Sequence, residues 1–195
     1  MKKKERSVNI PTIEEVENEQ KRLRHRAVYQ RTLRGTIAVL LVVAAISVLV
    51  ATLWMPVLQI YGSSMSPTLE AGQIVVSVKT NQLKTGEIVA FWQGNKLLIK
   101  RVIAGPGQWV DIDMDGNVTV DGQTLDEPYL TEKALGNYDI DLPHQVTEAH
   151  WFLMGDNRDT SVDSRSTAIG DISKDQIEGQ IIFRIWPLNK IGSIQ

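Results

Sequence analysis

No cysteine occurs among the 195 residues. Disulfides and zinc–thiolate sites are therefore excluded, and a folded domain must hold by its core alone. Histidine is nearly as scarce, with His25, His144 and His150 the only examples. None has the spacing of a zinc motif. His25 lies in a basic segment, and His144 and His150 read as surface or loop residues. No phosphate-binding glycine loop and no internal repeat is present. The overall charge of −2 is uninformative, and 43% hydrophobic with 23% charged residues is ordinary for a chain with a buried core. The most telling deficit is local: nothing from Gly35 to Leu69 carries a charge.

What flanks that gap is asymmetric. Residues 1–34 hold ten Lys/Arg and five Glu, which leaves 11 Lys/Arg and 18 Asp/Glu, net −7, for the rest. Residues 1–11 are polar and expected to be disordered. Thr12 and Glu15 form a T-x-x-E capping box that can open a helix. Acidic Glu14, Glu15, Glu17 and Glu19 then precede basic Lys21, Arg22, Arg24 and Arg26, an order that suits the helix dipole. Gly35–Met55 (GTIAVLLVVAAISVLVATLWM) is almost wholly apolar. About 20 helical residues cross a ~30 Å hydrocarbon layer. Trp54 sits where an interfacial anchor is expected and Pro56 is a natural stop. A cleaved targeting segment would have a shorter apolar core and a small-x-small exit, whereas this run leads into Leu53-Trp54-Met55-Pro56. The Lys/Arg excess assigns residues 1–34 to the cytoplasm, 35–55 to a single transmembrane helix, and 56–195 to the outside. The same membrane position accounts for the basic head better than nucleic acid does.

From Val57 onward the pattern becomes one of short β-branched runs between turn signals. Gln73–Lys79, Glu87–Trp92, Leu97–Ile103, Trp109–Asp113, Val118–Val120, Trp151–Met154 and Gln180–Trp186 read as strands. Asp115-Gly116 and Asp121-Gly122 read as hairpin-type turns, and Lys174–Glu178 as one short helical turn. The fold class is mainly β, one domain preceded by one helix, with an irregular insertion near 126–149.

Three segments carry possible chemistry. Tyr61-Gly62-Ser63-Ser64-Met65-Ser66-Pro67-Thr68-Leu69 follows the apolar run closely, though on composition alone it is a turn or linker. Leu97–Ile103 (LLIKRVI) sets Lys100 and Arg101 inside an apolar strand. Alternation puts them on opposite faces, so one must face inward if the strand has a buried face. Either this is an edge strand whose lysine reaches water, or the lysine is held out of water. Burial disfavours the ammonium and makes the amine a usable base. Unperturbed, a lysine at pH 8 is neutral less than ~1% of the time. Met154–Arg165 (MGDNRDTSVDSR) is dense in Asp, Asn, Ser and Arg and follows an apolar run. It reads as a solvated loop or as a tight turn whose buried Asp and Arg pair with each other.

Together the three segments resemble the bacterial type I signal peptidases, a serine–lysine dyad family. Ser64-Met65-Ser66-Pro67-Thr68 is similar to the family's S-M-x-P-T motif. Lys100-Arg101-Val102 with Gly105-Pro106-Gly107 is similar to its lysine motif. Gly155-Asp156-Asn157 through Ser161, Asp163, Ser164 and Arg165 is similar to G-D-N-x-x-x-S-x-D-S-R. The likeness spans nearly all of 57–190, and the single span resembles the Gram-positive branch.

The resemblance implies a membrane-bound endopeptidase that removes signal peptides from exported preproteins, cutting after small residues. Ser64 would be the nucleophile and Lys100 the general base, with Ser161 positioning the amine. Asp163 and Arg165 would pair beneath the site, and Asp156 would support the turn. The Ser64 N–H would bind the oxyanion. Val57–Gly62 and Lys96–Ile99 would take the substrate as an added strand, with Ile60, Gly62, Met65 and Leu98 around the substrate. Where Gly62 stands, some members carry a serine that adds a second oxyanion donor. No cofactor or metal is implied. Partners would be preprotein signal peptides and the bilayer, the secretion machinery only indirectly, and no nucleic acid. A peptidase dedicated to one client such as a pilin, a non-catalytic relative and a self-cleaving regulator are the rival readings. Retention of both Ser64 and Lys100 argues against the second, and the apolar span against the third.

Overall fold

The computed structural model describes residues 12–80 and 82–194. Residues 1–11, and with them the disorder expected there, lie outside the described residues, as does the Trp54 side chain. Contacts divide the chain into two compact units, up to Val50 and from Ala51 onward.

The first unit is formed by α1 (Ile13–Trp54), one continuous helix of 42 residues whose last four belong to the second unit. The juxtamembrane helix and the apolar run, read separately in sequence, are joined because no proline stands between them and the one glycine at the junction, Gly35, is tolerated in a long helix. The capping box forms: the Thr12 N–H donates to Glu15 Oε2 (2.9 Å) and the Glu15 N–H to Thr12 Oγ1 (3.4 Å). The apolar stretch is long enough to cross a membrane, with mean hydropathy 2.2. Its hydroxyls bond back into the helix, Thr36 to the Thr32 carbonyl (3.0 Å) and Ser47 to the Val43 carbonyl (2.8 Å). This matters in hydrocarbon, where no water can satisfy them.

The second unit is antiparallel β. Its strands are β1 (Val57–Gln59), β2 (Ile74–Val78), β3 (Ile88–Gln93), β4 (Lys96–Ala104), β5 (Trp109–Ile112), β6 (Val118–Val120), β7 (Gln123–Thr124), β8 (His144–Gln145), β9 (His150–Met154), β10 (Ile172–Ser173), β11 (Ile177–Trp186) and β12 (Gly192–Ser193). The larger sheet runs β1-β2-β11-β3-β4-β9-β10 with β12 on β11, and the smaller β7-β6-β5-β8. Each strand read from the sequence is present within a few residues. Asp121 and Gly122 make a two-residue hairpin turn, with φ +51° and +78°. Asp115-Gly116 also turns a hairpin, between β5 and β6, through a longer loop closed by Asp113, whose carboxylate accepts from the Asn117 backbone and side chain.

Three apolar clusters hold the unit. Ile60, Met65 and Leu69 from the Ser64 turn pack with Val75, Ile88, Ala90 and Ile181. Val89, Phe91, Val102 and Leu153 make a second cluster. A third joins the sheets through Ile103, Val110, Val118 and Phe152, with Leu135, Ile140 and Leu142 of the irregular insertion against it. The insertion is thus part of the packed body, although nearly devoid of regular structure.

Candidate active site

Strand β4 presents two adjacent cations, and both are buried: Lys100 is 3% exposed and Arg101 1%. Alternation required one of them to face inward; because both faces of the strand are covered, both do. Lys100 reaches Ser161 on one face, and Arg101 reaches Asp156 and the Gly86 carbonyl on the other. Arg101 is fully compensated. Its Nε and Nη2 donate to Asp156 (2.9 and 2.7 Å), its Nη1 to the Gly86 carbonyl (2.6 Å), and its guanidinium lies 3.8 Å from the Tyr129 ring centre. Asp156 also accepts from Thr68 Oγ1 (2.6 Å). It therefore ties β4 to the Ser64 turn, a wider role than support of its own turn.

Lys100 has no such partner. Its Nζ donates to Ser161 Oγ (2.9 Å), a neutral hydroxyl. Burial pushes the ammonium pKa down to about 8, with Asp163 and Asp156 pulling upward and Arg165 pushing further down. A quarter to a half of such lysines are neutral between roughly pH 7.5 and 8, against under 1% of ordinary ones.

Ser64 is half-buried in a turn fixed by Met65 and Leu69, both in the core. The Leu69 N–H donates to the Met65 carbonyl (2.8 Å), and the Asn157 N–H to the Ser64 carbonyl (3.0 Å). The Ser64 N–H and hydroxyl have no hydrogen-bond partner among the described residues. Ser64 and Lys100 line one cleft of about 380 Å³, shared with Ile60, Gly62, Met65 and Leu98. Neither Ser63 nor Ser66 lines it. Leu58, Leu97 and Ile99 line it too. All three lie in the Val57–Gly62 and Lys96–Ile99 segments expected to flank the substrate, although sequence reasoning did not single them out as wall residues. The walls are Val57–Gly62 and Leu97–Lys100, two extended segments between which a third can lie.

The 154–165 loop connects the two. Gly155 packs between the Ser64 carbonyl and the Ser161 hydroxyl, so close that a Cβ there would collide with both. Asp163 accepts from the Gly155 N–H (2.9 Å) and from Arg165 Nε and Nη2 (2.8 and 2.9 Å). Burial alone would raise the Asp163 pKa, but these bonds, with one from the Ser161 hydroxyl, hold it below the usual range. The carboxylate thereby orients Ser161, whose oxygen faces the lysine amine. A third buried pair, Arg158 with Glu127, was not anticipated. Arg158 also donates to the Gly155 carbonyl (3.2 Å), and Arg165 to the Leu135 carbonyl (2.6 Å). Glu127 and Leu135 belong to the irregular insertion, where no local pattern announces a buried carboxylate.

The two histidines prove to be strand residues rather than loop residues. His144 in β8 lies 3.0 Å from Asp171 and stacks near Phe152, and His150 opens β9. Neither lines the Ser64 cleft.

A half-buried serine beside a desolvated amine, in a cleft shaped for an extended chain, is an arrangement suited to acyl transfer. Comparisons with known proteins agree in kind. Residues 33–186 match the family described as signal peptidase, peptidase S26. The chain is 36% identical over 151 residues to signal peptidase IB of Staphylococcus aureus (strain COL), covering 67% of this chain and 78% of that one. It is 33% identical over 170 residues to signal peptidase I of Bacillus licheniformis, covering 79% and 88%. A crystal structure of a signal peptidase I from Enterococcus faecalis V583 aligns at 24% identity and a TM-score of 0.43, over 52% of this chain and 98% of that one. The chain therefore belongs to the signal peptidase family, peptidase S26, the type I signal peptidases.

Proposed function

We propose that the protein is a membrane-anchored serine endopeptidase that removes N-terminal signal peptides from exported preproteins by a Ser64–Lys100 dyad. The observation that carries this reading is the buried Lys100 amine, with a pKa of about 8, lining one cleft with Ser64. The substrate's extended segment lies between Val57–Gly62 and Leu97–Lys100. Ile60, Met65 and Leu98 wall small pockets that admit only small side chains, and Gly62 leaves room for the backbone.

Neutral Lys100 accepts the Ser64 hydroxyl proton as Oγ attacks the scissile carbonyl carbon. The carbonyl oxygen becomes an oxyanion, held by the unpartnered Ser64 N–H. As the tetrahedral species collapses, the C–N bond breaks and the ammonium returns its proton to the leaving amine of the mature chain. Water then attacks the acyl-serine ester, Lys100 again taking the proton; the ester C–O bond breaks, the ammonium returns the proton to Ser64 Oγ, and the signal peptide leaves with a carboxylate. Ser161 and Asp163–Arg165 hold the amine throughout. Gly62 carries no hydroxyl, so the oxyanion depends on backbone donors here.

Residues 1–34 are assigned to the cytoplasm, 35–55 to the bilayer and 56–195 to the outer face. Anchoring confines enzyme and signal peptide to one surface and raises their effective concentration. The test is cleavage of a preprotein by the detergent-solubilised full chain, against Ser64→Ala and Lys100→Ala. Cutting after a small-x-small site by wild type alone is expected. Substantial activity in Lys100→Ala would overturn the dyad, and no cutting of any of several preproteins by wild type would overturn the peptidase reading.

A further inference from the structure

We propose that a second cleft receives the first residues of the mature chain, beyond the scissile bond, and selects against acidic side chains there. This cleft of about 370 Å³ is bordered by Ser66, Pro67, Thr131, Glu132, Asn157 and Asp159. The inference deepens the peptidase reading and rests on it.

The two clefts are lined by consecutive residues of the Ser64 turn. Ser64 and Met65 line the first, and Ser66 and Pro67, next in the chain, line the second. Asn157 borders the second while its N–H holds the Ser64 carbonyl at 3.0 Å. A polypeptide cut at Ser64 must extend both ways from that point. The first cleft has apolar pockets and extended walls, which suit the invariantly small residues of a signal peptide. The chain on the other side differs from client to client, so its site must be permissive. The second cleft fits that need, since hydroxyls, an amide and exposed carboxylates border it beside only the compact Pro67 and Ala134.

Permissive binding still has a charge. Asp156 and Arg158 at the floor are neutralised by Arg101 and Glu127. Glu132 and Asp159 on the rim are exposed, and neither has a hydrogen bond or ion pair among the described residues. Their charges therefore act on whatever enters. An aspartate just after the scissile bond is repelled, and a lysine is attracted, by forces that salt screens.

The experiment uses detergent-solubilised full chain and synthetic peptides with one small-x-small site. The first two mature positions are Ala-Ala, Lys-Lys or Asp-Asp. In wild type at low salt, kcat/KM for the Asp-Asp peptide is expected to fall about three- to ten-fold below Ala-Ala, with Lys-Lys equal or higher. In the double variant Glu132→Gln/Asp159→Asn, the ratio of Asp-Asp to Ala-Ala is expected to return to within about two-fold, as it should for wild type at 0.5 M salt. A flat charge series in wild type, or a series the double variant leaves unchanged, overturns the assignment while leaving the peptidase reading intact. If wild type cuts none of the peptides, the peptidase reading itself falls and this inference with it.

Discussion

Two adjacent cations on one strand meet opposite fates because their partners differ. Arg101 is matched by a bidentate carboxylate, whereas Lys100 is offered only a hydroxyl. The consequence is an amine that loses its proton near pH 8, at the expense of stability. With a pKa near 8, the dyad should be active only when Lys100 is neutral, so kcat/KM should rise with pH to a plateau above about pH 8. A limb centred near 10.5 in a pH–rate profile would mean the amine is not desolvated in solution. The stability effect has a definite sign. The folded pKa lies below the unfolded one, so between about pH 8 and 10.5 the unfolded chain binds more protons and stability rises with pH. Below pH 8 the full penalty applies, on the order of 3 kcal/mol. Lys100→Met, which keeps the volume and removes the charge, should therefore be inactive yet melt higher than wild type at pH 7. Equal or lower melting at pH 7 would contradict a desolvation penalty at this site.

At the scale of elements, the site is a junction of three pieces: the Ser64 turn, strand β4 and the 154–165 loop. Gly155 is where the Ser64 turn and the loop touch, since any side chain there meets both the Ser64 carbonyl and Ser161. The irregular insertion holds the loop from outside through Glu127 and the Leu135 carbonyl. Removing one member of a buried pair strands the other, at about 3–5 kcal/mol. Glu127→Ala should thus lower the melting temperature sharply and activity with it, although Glu127 lines neither cleft. Glu127→Ala combined with Arg158→Met should recover part of the stability. A thermal melt of the three proteins decides, and an unaffected single variant would mean that the insertion does not support the loop.

For the whole molecule, the arrangement of charge is the determinant. A basic segment, an uncharged run and an acidic body in that order predict a cytoplasmic N-terminus. In cells stripped of their wall, external protease should degrade the second unit and spare an epitope tag at residue 1. Loss of the tag with survival of the body would invert the assignment.

Much of this was legible without coordinates where the signal is local. The apolar run declares itself because a bilayer demands length and uniformity. Strands such as Ile88–Gln93 and Ile177–Trp186 follow from β-branched runs between turns, and the Thr12–Glu15 box from spacing along one helical turn. The motifs around Ser64, Lys100 and Gly155–Arg165 named the residues that would be brought together. What they could not reveal was pairing over long separations. Asp156 with Arg101, Glu127 with Arg158, and Leu135 with Arg165 join segments that have no sequence relation to one another. A buried charge is tolerable only when a partner arrives from elsewhere in the fold, and local pattern carries no information about that partner. By itself the amino-acid sequence determined the span, the β character and the identity of the dyad candidates. Only tertiary packing decided that Lys100 loses its water while Arg101 is compensated, because desolvation depends on what covers a residue and not on its neighbours in the chain.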